Sequence, residues 1–380
     1  MEVYLDNSAT TRPYQEAAKA VYDTMLSCYG NPSSLHRMGK TAEDLLEDCR
    51  NVIASTVYGT PDEIYFTSGG TESDNLAIIG YCMANRRKGN RIITQRTEHA
   101  AVLETFAFLE QNGFEVVYVD ITPLGIPDMA MLASSINEQT LLLSFMYVNN
   151  ENGAIFPIAD IAALAKAAKC VLHVDAVQAY GKLPINVRTL GADLLSISSH
   201  KIHGPNGVGA LWVKKGTRLS PIVFGGKQEK GMRSGTENLA GIAGFAKAAK
   251  IKFASLDSDA QKMNELKERL ISTLKGKIEN VVVNSPKNSV CSVANISFPG
   301  VKSEVLLHVL ESNGIYVSTG SACNSKKNKF SYVLSEMKLR ADVIDSAIRF
   351  SLSAFNSADE IDYVCKVLER EIPLLRKIMR

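Results

Sequence analysis

No run of apolar residues in this 380-residue chain approaches the roughly 18 needed for a membrane-spanning helix. The opening stretch, MEVYLDNSATTRPY, lacks the apolar core of a secretory signal, so no signal peptide is expected. Neither charge dominates: 42 Lys and Arg against 40 Asp and Glu leave +2, which argues against nucleic-acid binding by bulk electrostatics and leaves only local basic patches. Seven cysteines, at 28, 49, 82, 170, 291, 323 and 365, form no metal-like or disulfide-like spacing and point to a reducing cytoplasm. Repeats and low-complexity segments are missing too. What remains is ordinary globular material, 46% hydrophobic and 22% charged, which at about 150 residues per domain makes two to three domains.

Between about residues 60 and 215 short apolar runs alternate with helical patterns, which predicts a mostly parallel sheet flanked by helices. The expected strands are 63–66, 91–94, 115–120, 140–148, 171–175, 194–198 and 209–213. Ile158, Ile161, Leu164 and Ala165 mark one helical face, with Pro157 expected in the first turn. Ala42, Leu45, Leu46, Cys49 and Ile53 mark another, which makes Cys49 a core residue. A helical pattern over 238–273 is interrupted near Ser255 to Asp259, a domain boundary or hinge. Beyond it, strands near 281 and 293–298 and a terminal helix from about 359 read as a smaller α+β unit.

Ligands of open α/β sheets bind at the carboxyl ends of the strands, so the polar residues there carry the functional reading. After the strand at 63–66 comes TSGGTESDN (67–75), with two glycines and hydroxyls at a helix start, an arrangement suited to an anion. The same residues also fit a plain capping box, Thr71 with Asp74. HVDAVQA (173–179) leaves Asp175 at a strand end with Gln178 three residues on; a turn or cap is the simpler role for such an Asp. SSHKIHGPNGVG (198–209) puts Ser198, His200 and Lys201 at the next strand tip. A partly desolvated lysine there can attack a carbonyl as a neutral amine, although a solvated loop lysine is commoner. His99, just past the strand at 91–94, is either a loop donor or a ring-stacking group.

One ligand accounts for all of these. Pyridoxal 5′-phosphate needs an amine for its aldehyde, a carboxylate for its ring nitrogen and a phosphate cradle. Lys201, Asp175 and the 67–75 turn with Ser198 and His200 are those parts, with His99 placed to stack on the ring.

At this point the chain resembles the cysteine desulfurases of the class V aminotransferase family. The likeness runs through YLDNSATT (4–11), GNPSSLH (30–36), TSGGTESDN, TEHAAV, NNENG (149–153), HVDAVQA, SSHKIHGPNGVG, RSGTEN (233–238), STGSACNS and IRFSLS (348–353). The resemblance implies a fold-type I α/β architecture: a large cofactor-binding domain over 16–257, and a small domain formed by 1–15 and 258–380. It implies that Lys201 carries the cofactor covalently, Asp175 pairs with the pyridine nitrogen and Gln178 with the ring hydroxyl. Gly70, Thr71, Ser198 and His200 belong to the phosphate site, with Thr236 reaching it from the other subunit of a homodimer. Asn150 and Arg349 would orient the L-cysteine substrate, Arg349 by a fork onto its carboxylate.

The segment STGSACNSKK (318–327) contains one cysteine among small and polar residues before a lysine cluster, where burial of the thiol has little to draw on. The resemblance makes Cys323 the nucleophile that takes the substrate's sulfur as a persulfide and leaves L-alanine. Lys326, Lys327 and Lys329 would favour its thiolate, and His99 is the acid expected for the thiol chemistry. The sulfur then goes to an acceptor protein, an iron–sulfur scaffold or a tRNA-thiolation enzyme. Two departures bear on this. Lys227 stands where relatives usually show a third glycine, and the chain ends 31 residues after Arg349 (380 minus 349), shorter than the tail used for scaffold docking. Selenocysteine lyase or another PLP-dependent lyase or aminotransferase is the rival enzyme, and a non-catalytic sulfur carrier the remote alternative.

Overall fold

The computed structural model describes residues 1–319 and 331–379. Twelve strands lie in the described chain: β1 Val3–Tyr4, β2 Ile64–Thr67, β3 Arg91–Gln95, β4 Glu115–Val119, β5 Thr140–Met146, β6 Val171–Asp175, β7 Leu194–Ser198, β8 Gly209–Val213, β9 Val282–Val283, β10 Val293–Ser297, β11 Ile315–Tyr316 and β12 Ala347–Ser351. Seven of them form one sheet in the order β2-β8-β7-β6-β5-β3-β4. The pairs β4–β3, β3–β5, β5–β6 and β6–β7 are parallel, whereas β8 runs antiparallel to both β7 and β2. The expected strands are therefore all present, in the mostly parallel sheet anticipated.

Strands covered on both faces read as unbroken apolar runs, and neighbouring residues here enter different cores. Ile93, Leu143 and Leu195 pack into one cluster, while Ile92, Leu142 and Leu194 pack with Leu76, Tyr81 and Phe106 into another. That is the period of two along a strand. Cys49 is buried on the helix Arg37–Thr56, as its apolar stripe implies. Pro157 sits one residue earlier than anticipated, as the N-cap of the helix Ile158–Ala168, its ψ of 66° lying outside the helical range. The interrupted helix is two helices, Leu239–Ala254 and Leu256–Lys277, with Ser255 alone as the break.

A third apolar cluster joins both ends of the chain: Val3 and Leu5 pack with Leu270, Phe298, Phe350 and Ile361. There β1 pairs in parallel with β11, and β10 lies between β9 and β12 in an antiparallel sheet. The segment between β1 and the helix Gln15–Ser27 crosses from this cluster to the carboxyl edge of the large sheet. Asn7 Nδ2 donates to Ser351 O at 2.9 Å, and Thr11 N donates to His200 O at 3.0 Å.

The loop that leads to Thr236 is held by a buried ion pair. Arg50 donates to both carboxylate oxygens of Glu229, at 2.7 and 2.8 Å, and to Ile64 O at 2.9 Å. Glu229 also accepts from Phe66 N at 2.9 Å, which ties the loop to β2. Removing one member of such a pair strands the other charge. Glu229→Ala is expected to cost about 3–5 kcal/mol, read as a lowered thermal midpoint by calorimetry, and an Arg50→Met/Glu229→Leu double variant should lie closer to the parent. A Glu229→Ala protein melting with the parent would mean that the pair is not what secures this loop.

Candidate active site

At the carboxyl edge of the large sheet a cavity of about 260 Å³ opens among β2, β3, β5, β6 and β7. Its walls include Lys201, Asp175, Gln178, His99 and Asn150, and on another side Gly70, Thr71, Ser198 and His200. Residues up to 131 positions apart (201 minus 70) thus meet because parallel strands deliver every carboxyl end to the same edge.

The anion side is built from backbone. β2 ends at Thr67, and the helix Gly70–Asn85 starts three residues later, with Gly69 as N-cap at φ +154° and no side-chain cap. The capping-box reading therefore fails: Thr71 is already inside the helix, and Asp74 points inward. Gly69 supplies a backbone geometry that L side chains avoid. Gly209 opposite it is equally constrained, because a Cβ there would meet Gly69 Cα at 2.7 Å. Ser198 Oγ is buried without a hydrogen-bond partner, and His200 Nδ1 lies 3.2 Å from Thr10 Oγ1. Burial, with Lys201 and Lys182 nearby, lowers the His200 pKa to about 4, so its ring is neutral.

The amine side centres on Lys201. Its Nζ donates to Ser8 O at 2.5 Å and to Ala9 O at 2.8 Å, so it is no solvated loop lysine. Ser8 O also accepts from Gln178 Nε2 at 3.0 Å. His99 is the N-cap of the helix Ala100–Gln111, accepting from Ala101 N at its Nδ1. A neutral His99 then carries its proton on Nε2.

The carboxylates are out of balance. Asp175 Oδ1 accepts from Val177 N at 2.9 Å, which is the turn role, but the group is also buried beside the cavity. Burial raises the Asp175 pKa to about 7, and the nearby Asp74 pushes the same way. Asp74 is likewise raised to about 7 by burial, against a smaller lowering from the Ser196 hydroxyl, and its Oδ1 lies 3.5 Å from His173 Nε2. His173 is no counter-ion, because burial lowers its pKa to about 4; its nitrogens engage Ser144 Oγ and Ser196 Oγ at 2.8 and 2.9 Å. Two desolvated carboxyls at the cavity, with no salt bridge to a lysine or arginine found for either among the described residues, suit a protonated ring nitrogen. The orphaned Ser198 hydroxyl suits a phosphate oxygen, so the residues present fit pyridoxal 5′-phosphate.

Arg349, on β12, donates to Asn150 O at 3.1 Å and to Asp6 Oδ1 at 2.8 Å, while its Nε and Asn150 Oδ1 are buried without partners. Thr236 is exposed and, like Arg349, does not line the cavity; Cys323, with Lys326, Lys327 and Lys329, lies outside the described residues. The ends of the chain bordering that segment are nevertheless tied in place: Ser318 exchanges backbone hydrogen bonds with Arg349, and Ser331 Oγ donates to Glu151. Sequence reasoning passed over Asp6, Asp74, His173 and Lys182. His173 had a signal, since it precedes Asp175 by two on one strand and therefore shares its face.

The raised carboxyl pKa values have a consequence for stability. Both groups hold protons more tightly folded than unfolded, so their contribution is lost as pH rises from the ordinary carboxylate range through about 7. His173, with its lowered pKa, acts in the opposite sense below its ordinary value. Cofactor-free Asp175→Asn, compared with cofactor-free parent, is therefore expected to gain thermal stability progressively between about pH 5 and about pH 8. A difference between the two that stays constant across that range would show that Asp175 is not the strained carboxyl.

Comparison with known proteins places this geometry. The aminotransferase class-V family profile matches residues 3–364. A cysteine desulfurase IscS of Dictyoglomus turgidum is 42% identical over 378 residues, covering 99% of this chain and 96% of the relative. A solved NifS-like protein superimposes with a TM-score of 0.93 at 36% identity, covering 99% of this chain and 100% of that one. A structure described as SspA in complex with cysteine has a TM-score of 0.82 at 31% identity, covering 93% and 100%. With its folded edge, lysine and carboxylate arranged as above, the chain belongs to the aminotransferase class-V family and, within it, to the cysteine desulfurases.

Proposed function

We propose that this protein removes sulfur from L-cysteine, releasing L-alanine and holding the sulfur as a persulfide on Cys323 for transfer to an acceptor. The observation that carries the reading is the meeting of Lys201, Asp175 and Asn150 in one cavity of a chain related end to end to cysteine desulfurases. The reaction balances without an external oxidant: the substrate C–S bond breaks, an S–S bond forms at Cys323, and the thiol protons pass to the carbon product and the persulfide.

When bound, pyridoxal 5′-phosphate supplies an aldehyde for the substrate's amino group and an electron-withdrawing ring that eases loss of the proton from Cα. Lys201 is the covalent anchor and the proton carrier at Cα, its Nζ kept at the cavity by Ser8 O and Ala9 O. Asp175 would pair with the ring nitrogen and keep it protonated. Thr71, Ser198 and neutral His200 hold the phosphate beside the helix N-terminus at Gly70. Arg349 and Asn150 take the substrate carboxylate, and Asp6 orients the guanidinium for it. His99 moves a proton at the thiol through Nε2.

The division into a large unit (16–257) and a small one (1–15 with 258–380) belongs to the same proposal, as does a homodimer in which Thr236 serves the partner's phosphate site. Exposed Tyr22, Met25, Leu26 and Tyr29 support such an interface. A cytoplasmic location is supported by cysteines 28, 49, 82, 170, 291 and 365, all unpaired among the described residues. No helix there is long and apolar enough to cross a membrane. The acceptor is an iron–sulfur scaffold or a tRNA-thiolation enzyme.

Two variants test the reading. Lys201→Ala is expected to lose the visible absorbance of bound cofactor and to slow alanine release by about a hundredfold or more. Alanine formed at the parental rate would sink the assignment. Cys323→Ser should keep that absorbance and still respond spectrally to added cysteine, yet form no protein persulfide, because serine oxygen is a poor acceptor for sulfane sulfur. Persulfide formed as fast as in the parent would make Cys323 a bystander.

A further inference from the structure

Lys182 is 8% exposed, and its ammonium has one hydrogen bond among the described residues, a donation to Gln178 Oε1 at 2.8 Å. The turn after β6 sets this spacing: Tyr180 N donates to Ala176 O and Lys182 N to Ala179 O, so residues 178 and 182 share one side of a helix-like turn. Gly181 between them has φ +70°, and a Cβ there would meet Ile202 Cγ2 at 2.6 Å, so the turn is closely packed.

The surroundings of Lys182 are cationic. Lys201, Lys252 and Arg349 all repel it, while Cys291 acts in the opposite sense; His200 and His203 feel it in turn. The acids near these cations are already committed, Asp259 to Lys252 at 2.5 Å and Asp6 to Arg349 at 2.8 Å. A buried ammonium without a carboxylate is costly, and burial, reinforced by Lys201, lowers the Lys182 pKa to about 7. A methionine would fill the space without that cost, so the charge or the donor is the property retained.

A terminal amide can present either its oxygen or its nitrogen to a cavity. A lysine amine donates, so it takes Oε1 and leaves Nε2 for the opposite side. One N–H of Nε2 goes to Ser8 O, the same oxygen that accepts from Lys201 Nζ. Lys182, Gln178, Ser8 and Lys201 are thus joined in one hydrogen-bonded line. We propose that Lys182 is a positioning residue that fixes the Gln178 amide with its N–H groups toward the cavity, so that the cofactor's ring oxygen meets a donor backed by a cation and is favoured as an anion.

This rests on the reading of the cavity as the pyridoxal 5′-phosphate site, and the experiment separates the two. The holoenzyme and its Lys182→Met and Lys182→Arg variants are titrated with pH while the visible band of the bound cofactor is followed. Loss of a charge-assisted hydrogen bond is expected to raise the midpoint in Lys182→Met by about one unit, a tenfold shift, and Lys182→Arg should return it toward the parent. Gln178→Leu, which removes the acceptor, should shift it in the same direction and stands in should Lys182→Met fail to fold. A parent without the band would overturn the cavity reading itself. A parent with the band and a Lys182→Met or Gln178→Leu midpoint equal to the parent's overturns only the role of Lys182, as does a folded Lys182→Met protein that retains no cofactor.

Discussion

The site depends on one backbone carbonyl. Ser8 O accepts from Lys201 Nζ at 2.5 Å and from Gln178 Nε2 at 3.0 Å, which places the amine and the amide on a common acceptor. That carbonyl is fixed because the chain on either side is stitched to different parts of the fold. Ser8 N donates to Ser351 Oγ at 2.9 Å, while Thr11 Oγ1 donates to His200 O and accepts from His203 N, both at 2.8 Å. A short polar segment near the N-terminus thereby links β12 to the tip of β7. Backbone groups suit this task, since a carbonyl has two lone pairs and no rotamers of its own.

Around that carbonyl the electrostatics are deliberately unfinished. Among the described residues Asp74 and Asp175 are buried without a lysine or arginine ion pair, and Lys182 without a carboxylate. The charges do not cancel directly, because each is held by packing at its own position. A ligand carrying a protonated ring nitrogen, a phenolic oxygen and a phosphate offers one partner for each deficit. The same imbalance therefore favours that ligand over neutral ones, a case of binding through relief of desolvation and repulsion rather than through area.

The neutral histidines serve this arrangement. His173 bridges Ser144 Oγ and Ser196 Oγ and so adds no charge beneath Asp175, whereas a cation there would hold the carboxylate ionised without any ligand. His200, neutral and placed beside Thr10, leaves the phosphate to be met by hydrogen-bond donors and the helix start. Arg349 is handled differently: Asp6 accepts from one end of its guanidinium, while Nε is buried with no partner among the described residues.

What the sequence determined by itself was local or periodic. Apolar runs located the seven strands of the large sheet, and the rule that ligands sit at strand carboxyl ends singled out Lys201, Asp175, Ser198, His200 and His99 before any coordinates. Strands β1, β11 and β12 of the two smaller sheets were not foreseen, because two-residue pairings and a strand closed from the far end of the chain leave no period to read. Asp74 shows the same limit in the site: its spacing from Thr71 suggested a cap, but the helix begins at Gly70 and turns it inward. Only the tertiary structure decided that Arg349 would face Asp6 across 343 residues, that Lys182 would be buried among cations, and that Asp175 would be buried beside Asp74. Each of these depends on desolvation and on partners distant in the chain, and local pattern carries information about neither.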